Sequence, residues 1–104
     1  MKTSEFIAEA RDELFQGWTQ GSYRSAQGVC VLGALDRVVM RHLTNGGVTA
    51  RAEAQVEISK MAQELFPDIW QGNIPSLNDY FSTTKDDMLN LLDKSVIGLE
   101  EVGR

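Results

Sequence analysis

The residues best equipped for chemistry are a single cysteine, Cys30, and a single histidine, His42. Such a pair can supply a nucleophile and its base. On one straight helix, however, their sequence separation places them about 18 Å apart, so they cannot meet directly. Cys30 stands at a helix start, where the dipole favours a thiolate. Its neighbours Val29 and Val31 are apolar, and burial among such side chains raises a thiol's pKa instead. A packing role is therefore the expectation for Cys30, and a solvated helix-end position for His42. One cysteine and one histidine leave only carboxylates to complete a coordination shell, so neither a metal nor another cofactor is expected. Gly17, Gly21 and Gly28 match no phosphate-binding fingerprint. No catalytic residue is assigned.

A different chemistry gathers in two loops. The first runs from Gly17 to Gly28 and carries Trp18, Gln20 and Gly21; the second runs from Asp68 to Ser82 and carries Trp70, Asn78 and Asp79. Short polar side chains just ahead of a helix ordinarily bond backbone amides, which is the plain duty expected of Asn78 and Asp79. The sharper expectation is that Asp79 reaches across to the Trp18–Gly21 stretch. Gln20 and Asn78 would then be paired amides in a polar patch walled by Trp18 and Trp70. A patch of this kind suits recognition of a base, a peptide or the end of a partner helix.

The elements that must position these groups follow from periodicity. Val29–Leu35 has no charged or hydroxyl side chain, so this helix start is expected to be buried on all sides. Gly33 within it costs about 1 kcal/mol relative to Ala in a helix interior; a close neighbour is the expected reason, and Cys30, Gly33 and Leu35 are assigned structural roles. Helices are expected near 4–16, 29–44, 49–66 and 84–98. Thr3 or Ser4 is expected to cap the first, Thr49 the third, and Thr83 or Thr84 the last, with an acid three residues on in a capping-box arrangement. Gly17 suits a left-handed helix stop, Asn45-Gly46-Gly47 ends the second helix, and Pro67 ends the third. The inner face of the second helix is read as Leu32, Leu35, Val38, Val39 and Leu43. A short hairpin with Gly21 at its turn can hide in the first loop, and the Glu100–Arg104 tail is expected to fray. The fold class is all-α: an irregular four-helix bundle with two long aromatic and polar loops, in a single domain spanning 1–104.

The pattern Trp18, Gln20-Gly21, then Cys30 with Gly33-Ala34-Leu35, then Asn78-Asp79 resembles a family of small proteins from actinobacteria and their phages. Its members carry Trp-x-Gln-Gly, Cys-x-x-Gly-Ala-Leu and Trp-Asn-Asp motifs and are assigned to a domain of unknown function. The resemblance covers roughly residues 5–97 and rests most on Cys-x-x-Gly-Ala-Leu; Leu77 stands where the family commonly has tryptophan. It implies a compact helical domain in a bacterial or phage-infected cytoplasm, and no activity.

Composition sets the outer bounds. The chain has 104 residues, 42% hydrophobic and 24% charged, with a net charge of −5. Phosphate contacts need a basic face, so direct nucleic-acid binding is not expected. The acids are too dispersed for a DNA mimic. No apolar run is long enough for a signal peptide or a membrane span, so a cytoplasmic setting is expected. The leading expectation is a small interaction module, phage-encoded, that binds a host protein or a second copy of itself through the Trp18 and Asn78 loops. A small-ligand binder or sequesterer, with nucleotides as one ligand class, is the alternative; a cysteine-dependent enzyme comes third.

Overall fold

The hub segment is enclosed on every side. In the computed structural model, which describes residues 1–104, Val29, Val31, Ala34 and Leu35 are fully buried and Cys30 and Leu32 nearly so. Around them lie α1 (Thr3–Gln16), a hairpin of β1 (Arg24–Ser25) and β2 (Gly28–Val29), α2 (Val31–Arg41), α3 (Gly47–Leu65), α4 (Ile74–Asp79) and α5 (Lys85–Glu101). The long helices α1, α2, α3 and α5 form one helical bundle in which α1 lies against the other three, and α4 packs on α2 and α3.

Apolar spacing explains which faces turn inward. Phe6, Ile7, Ala10 and Leu14 of α1, Ala54, Ile58 and Ala62 of α3, and Met88, Leu91, Leu92 and Leu99 of α5 are buried in one core. These positions recur at three and four residues, the stripe that a helix needs to face its neighbours. Ser95 joins the buried stripe of α5 by donating its hydroxyl to the Leu91 carbonyl at 2.8 Å.

Several boundaries differ from the periodicity, each for a local reason. The second helix spans 31–41 rather than 29–44, because Gly28 and Val29 pair with Ser25 and Arg24 as a strand and Cys30 becomes the N-cap. Leu43 falls outside it and is exposed. The first helix is capped at Lys2, whose N–H donates to the Glu5 carboxylate, so Thr3 and Ser4 lie inside the helix. The third is capped at Gly46 rather than Thr49, whereas Thr84 and Asp87 do form a capping box at the start of α5. A fifth, short helix, α4, occupies part of the second loop: Asn73 Oδ1 accepts from the Ser76 N–H at 2.8 Å, and Pro75 sits in the first turn, where its missing N–H costs nothing. The tail is tied down, with Arg104 N–H donating to the Leu99 carbonyl and Ser4 N–H to the Arg104 carbonyl.

The glycines of the first loop act through close approach. Gly17 is extended rather than left-handed (φ 178°). A side chain there would strike the Gln27 carbonyl, and one at Gly28 would strike Gly17 itself. The two backbones cross at this point, with Val29 N–H donating to the Gly17 carbonyl and Thr19 N–H to the Val29 carbonyl, both at 3.0 Å. The hairpin turns at Ala26-Gln27, not at Gly21.

An ionic face joins α1 to the end of α2. Glu13 takes Arg37 and Arg41, and Glu9 takes Arg41 and His42. The Arg41 guanidinium holds the Glu13 carboxyl below the usual carboxylate range.

Gly33 gives the sharpest test of this packing. A methyl group there would land on the Tyr23 carbonyl oxygen, which accepts the Cys30 N–H at 3.0 Å. Helix propensity favours Gly33→Ala by about 1 kcal/mol, but overpacking costs about 1–3 kcal/mol and a displaced hydrogen bond adds about 1 kcal/mol. Gly33→Ala is expected to lower stability by about 2 kcal/mol in urea denaturation; a gain in stability would contradict the close approach.

Candidate functional site

The two loops meet at one carboxamide. Asn78, the fifth residue of α4, is fully buried. Its Oδ1 accepts from the Trp18 indole Nε1–H at 2.9 Å and from the Val31 backbone N–H at 3.2 Å. Its Nδ2 donates to the Thr19 carbonyl at 3.0 Å and to Asp79 Oδ1 at 2.9 Å. A carboxamide has two N–H donors and two acceptor lone pairs, so Asn78 is fully satisfied. Asp79 Oδ1 also accepts from the Gly21 N–H at 3.0 Å, where Gly21 takes the left-handed φ of 82° that glycine permits.

Gln20 closes the outer edge of the joint. Its Nε2 donates to the carbonyls of Asn78 and Tyr80 at 3.0 and 3.1 Å, fixing the turn that leads from α4 into α5. The structure thus brings Trp18, Gln20, Gly21, Asn78 and Asp79 together. Trp70 stands apart: half-buried, it packs on the core, and its backbone N–H returns to the Phe66 carbonyl. It makes none of the bonds that join the loops.

The joint also reaches the hub. Val31 is the first residue of α2, and its N–H lacks a partner within the helix; Asn78 supplies one from another element. Cys30, the N-cap, supplies the next: its Sγ accepts from the Gly33 N–H at 3.3 Å. Burial pushes the Cys30 thiol up, and the Asp79 carboxylate adds to that, against the pull of the Gly33 amide. Leu35 is fully buried one turn further on.

Open space lies elsewhere. The surface has three recesses, of about 320, 480 and 360 Å³. The first lies between Tyr23 and Arg24 of the first loop and Gly33, Asp36, Arg37 and Met40 of α2, the second between α1 and α5, and the third where the termini meet; Trp18, Gln20, Trp70, Asn78 and Asp79 line none of them. No cluster of three or more His, Cys, Asp or Glu side chains is arranged to hold a metal ion. No helix is long and apolar enough to cross a membrane. The sequence reading missed the exposed aromatics beside the joint. Phe81 is 87% exposed, and its ring centroid lies 4.9 Å from that of Tyr80; Phe15 is also exposed, with Lys85 Nζ 5.3 Å from its ring centroid. Phe15 was discoverable, because within α1 it falls off the stripe of Phe6, Ile7, Ala10 and Leu14; Phe81 lies between α4 and α5, where no helical period marks it.

Residues 1–95 match the model of a family described as a family of unknown function, DUF6197. The chain belongs to that family. No curated protein and no solved structure matches it. In this DUF6197 domain Trp18, Gln20, Gly21, Asn78 and Asp79 bond at one joint between the two loops, with Cys30 and Gly33 beside it at the start of α2.

The bonds differ in weight, and that can be measured. Asn78→Ala strands the Val31 N–H, the Thr19 carbonyl and the Trp18 indole, and is expected to cost about 3 kcal/mol or more, since each stranded buried group costs about 1–3 kcal/mol. Trp18→Phe removes one bond and leaves Val31 capped, for about 1 kcal/mol. Equal losses in urea denaturation would show that Asn78 is not the centre. For Cys30, iodoacetamide near neutral pH is expected to label the thiol only after unfolding; rapid labelling of the folded protein would contradict the burial.

Proposed function

We propose that the protein is an interaction module, a small helical domain that binds another protein chain, or a second copy of itself, through the surface beside the Trp18 and Asn78 loops. The observation that carries this reading is Phe81, 87% exposed on a turn that Gln20 holds through the Tyr80 carbonyl. A large aromatic side chain held in water is useful to a binder, because aromatic anchors dominate interface energies. Holding its backbone in place beforehand reduces the ordering cost of association. Phe15, also exposed, lies against Lys85 at the start of α5, whose Nζ donates to the Phe15 carbonyl at 2.6 Å.

In this reading Trp18, Gln20, Gly21, Asn78 and Asp79 build the surface rather than touch the partner. Trp18 and Asn78 bond one another inside the joint, and Gln20 and Asp79 tie its exposed edge, so the main apolar contact falls to the side chains they display. Trp70 supports the core from its own position. The resemblance to actinobacterial and phage proteins favours a bacterial host protein in the cytoplasm as the partner.

Replacing Phe81 with a photo-crosslinking aromatic residue in cells tests this reading, with the same substitution at exposed Val56 on α3 as the control. A discrete adduct from position 81 and none from position 56 is expected, at twice the protein's mass if the partner is a second copy. No discrete adduct from position 81, or the same adducts from both, would overturn it.

A further inference from the structure

The turn between α2 and α3 places an acid–base pair against an asparagine that is followed by glycine. His42 Nε2 lies 2.9 and 3.0 Å from the two oxygens of Glu9. His42 Nδ1 lies 3.0 Å from Asn45 Nδ2 and 3.2 Å from Asn45 Oδ1. With Glu9 accepting, the Nε2 position carries a proton, so Nδ1 is the nitrogen that exchanges a proton with the Asn45 carboxamide. Asn45 and Gly46 are exposed, Gly46 has φ 90°, and its N–H makes no hydrogen bond. A glycine nitrogen approaches the preceding side chain with no Cβ in the way.

We propose that Asn45 is a self-modification site, at which the Glu9–His42 pair promotes deamidation to aspartate or isoaspartate. The Gly46 nitrogen gives its proton to solvent and bonds to Asn45 Cγ. The Cγ–Nδ2 bond breaks, and Nδ2 takes a proton from the imidazolium Nδ1–H and leaves as ammonia. The imidazole recovers its proton from solvent, and a five-membered imide remains. Water then adds to either ring carbonyl and opens the imide to aspartate or to isoaspartate. Water is the only co-reactant, and nothing is oxidised or reduced.

His42 touches the reacting amide. Glu9 is a positioning residue that sets the imidazole's tautomer and orientation. The other asparagines supply internal controls: Asn73 precedes Ile74, Asn90 precedes Leu91, and Asn78 is buried with every bond satisfied. Conversion places a new carboxylate beside His42, and isoaspartate also lengthens the backbone at the turn that starts α3.

The test is incubation of the folded protein at neutral pH over days to weeks, followed by peptide mass mapping for exchange of NH2 by OH and enzymatic methylation for isoaspartate. Conversion is expected to concentrate at Asn45. His42→Gln is expected to slow it by about tenfold or more, and Glu9→Gln to slow it less, with folding of each variant checked by circular dichroism. In denaturant the variants and the wild type are expected to convert alike. Folded wild type and both variants converting at one rate would overturn the role of the pair. Asn45 persisting in the folded protein while it converts in denaturant would overturn the site. Should His42→Gln fail to fold, the Glu9→Gln rate decides.

Discussion

The first loop and the start of α2 both depend on the Asn78 carboxamide. It sits where water cannot reach, and it meets both loops and the first N–H of α2 at once. A buried amide is favourable only when all its partners are present, because each group left over costs more than a made bond returns. That asymmetry makes the joint nearly all-or-none. No other side chain fits the same bonds: aspartate has no N–H for the Thr19 carbonyl, and an aliphatic residue leaves the Val31 N–H bare.

The same economy of backbone groups explains Cys-x-x-Gly-Ala-Leu. Cys30 starts α2 with a thiol in the place where a serine or aspartate usually stands, and its Sγ takes the Gly33 N–H. A thiol is a weak acceptor, but it tolerates the apolar surroundings of Val29, Val31 and Leu35 better than a hydroxyl or carboxylate would. Gly33 leaves room for the Tyr23 carbonyl, which receives the Cys30 N–H. The loop therefore lies directly on the helix start, and a residue that weakens the helix locally strengthens its contact with the loop.

Much of this was legible in the sequence where the signal is local. The apolar stripes of α1, α3 and α5 are written in residues three and four apart, and the Thr84–Asp87 capping box is complete within four residues. The enclosure of Val29–Leu35 follows from its lack of polar side chains. What depends on contacts between distant residues was not legible. Gly17 resembles a helix stop because helix stops are glycine's usual employment, yet its reason is the Gln27 carbonyl ten residues on. Pro75 hid α4, since a proline breaks the apolar period even where the first helical turn accepts it. Trp18 and Trp70 look equivalent in sequence, and only packing separates the one that bonds Asn78 from the one that rests on the core.

Trp18 and Asn78 have therefore spent their hydrogen bonds inside the joint. The Trp18 indole and the Asn78 carboxamide are bonded inside the joint, while Gln20 and Asp79 are exposed at its edge and bond across it through Nε2 and Oδ1. The most exposed aromatic next to the joint is Phe81; Phe15 and Tyr23 are exposed as well, among polar neighbours such as Ser22, Arg24 and Gln27. In the interaction reading proposed above, a partner closing over Phe81 would gain mainly from removing aromatic area from water; around Phe15, Arg11 and Lys85 place positive charge against the ring. Rigidity matters more than polarity in that arrangement, because a display held by buried hydrogen bonds loses little freedom when a partner closes over it.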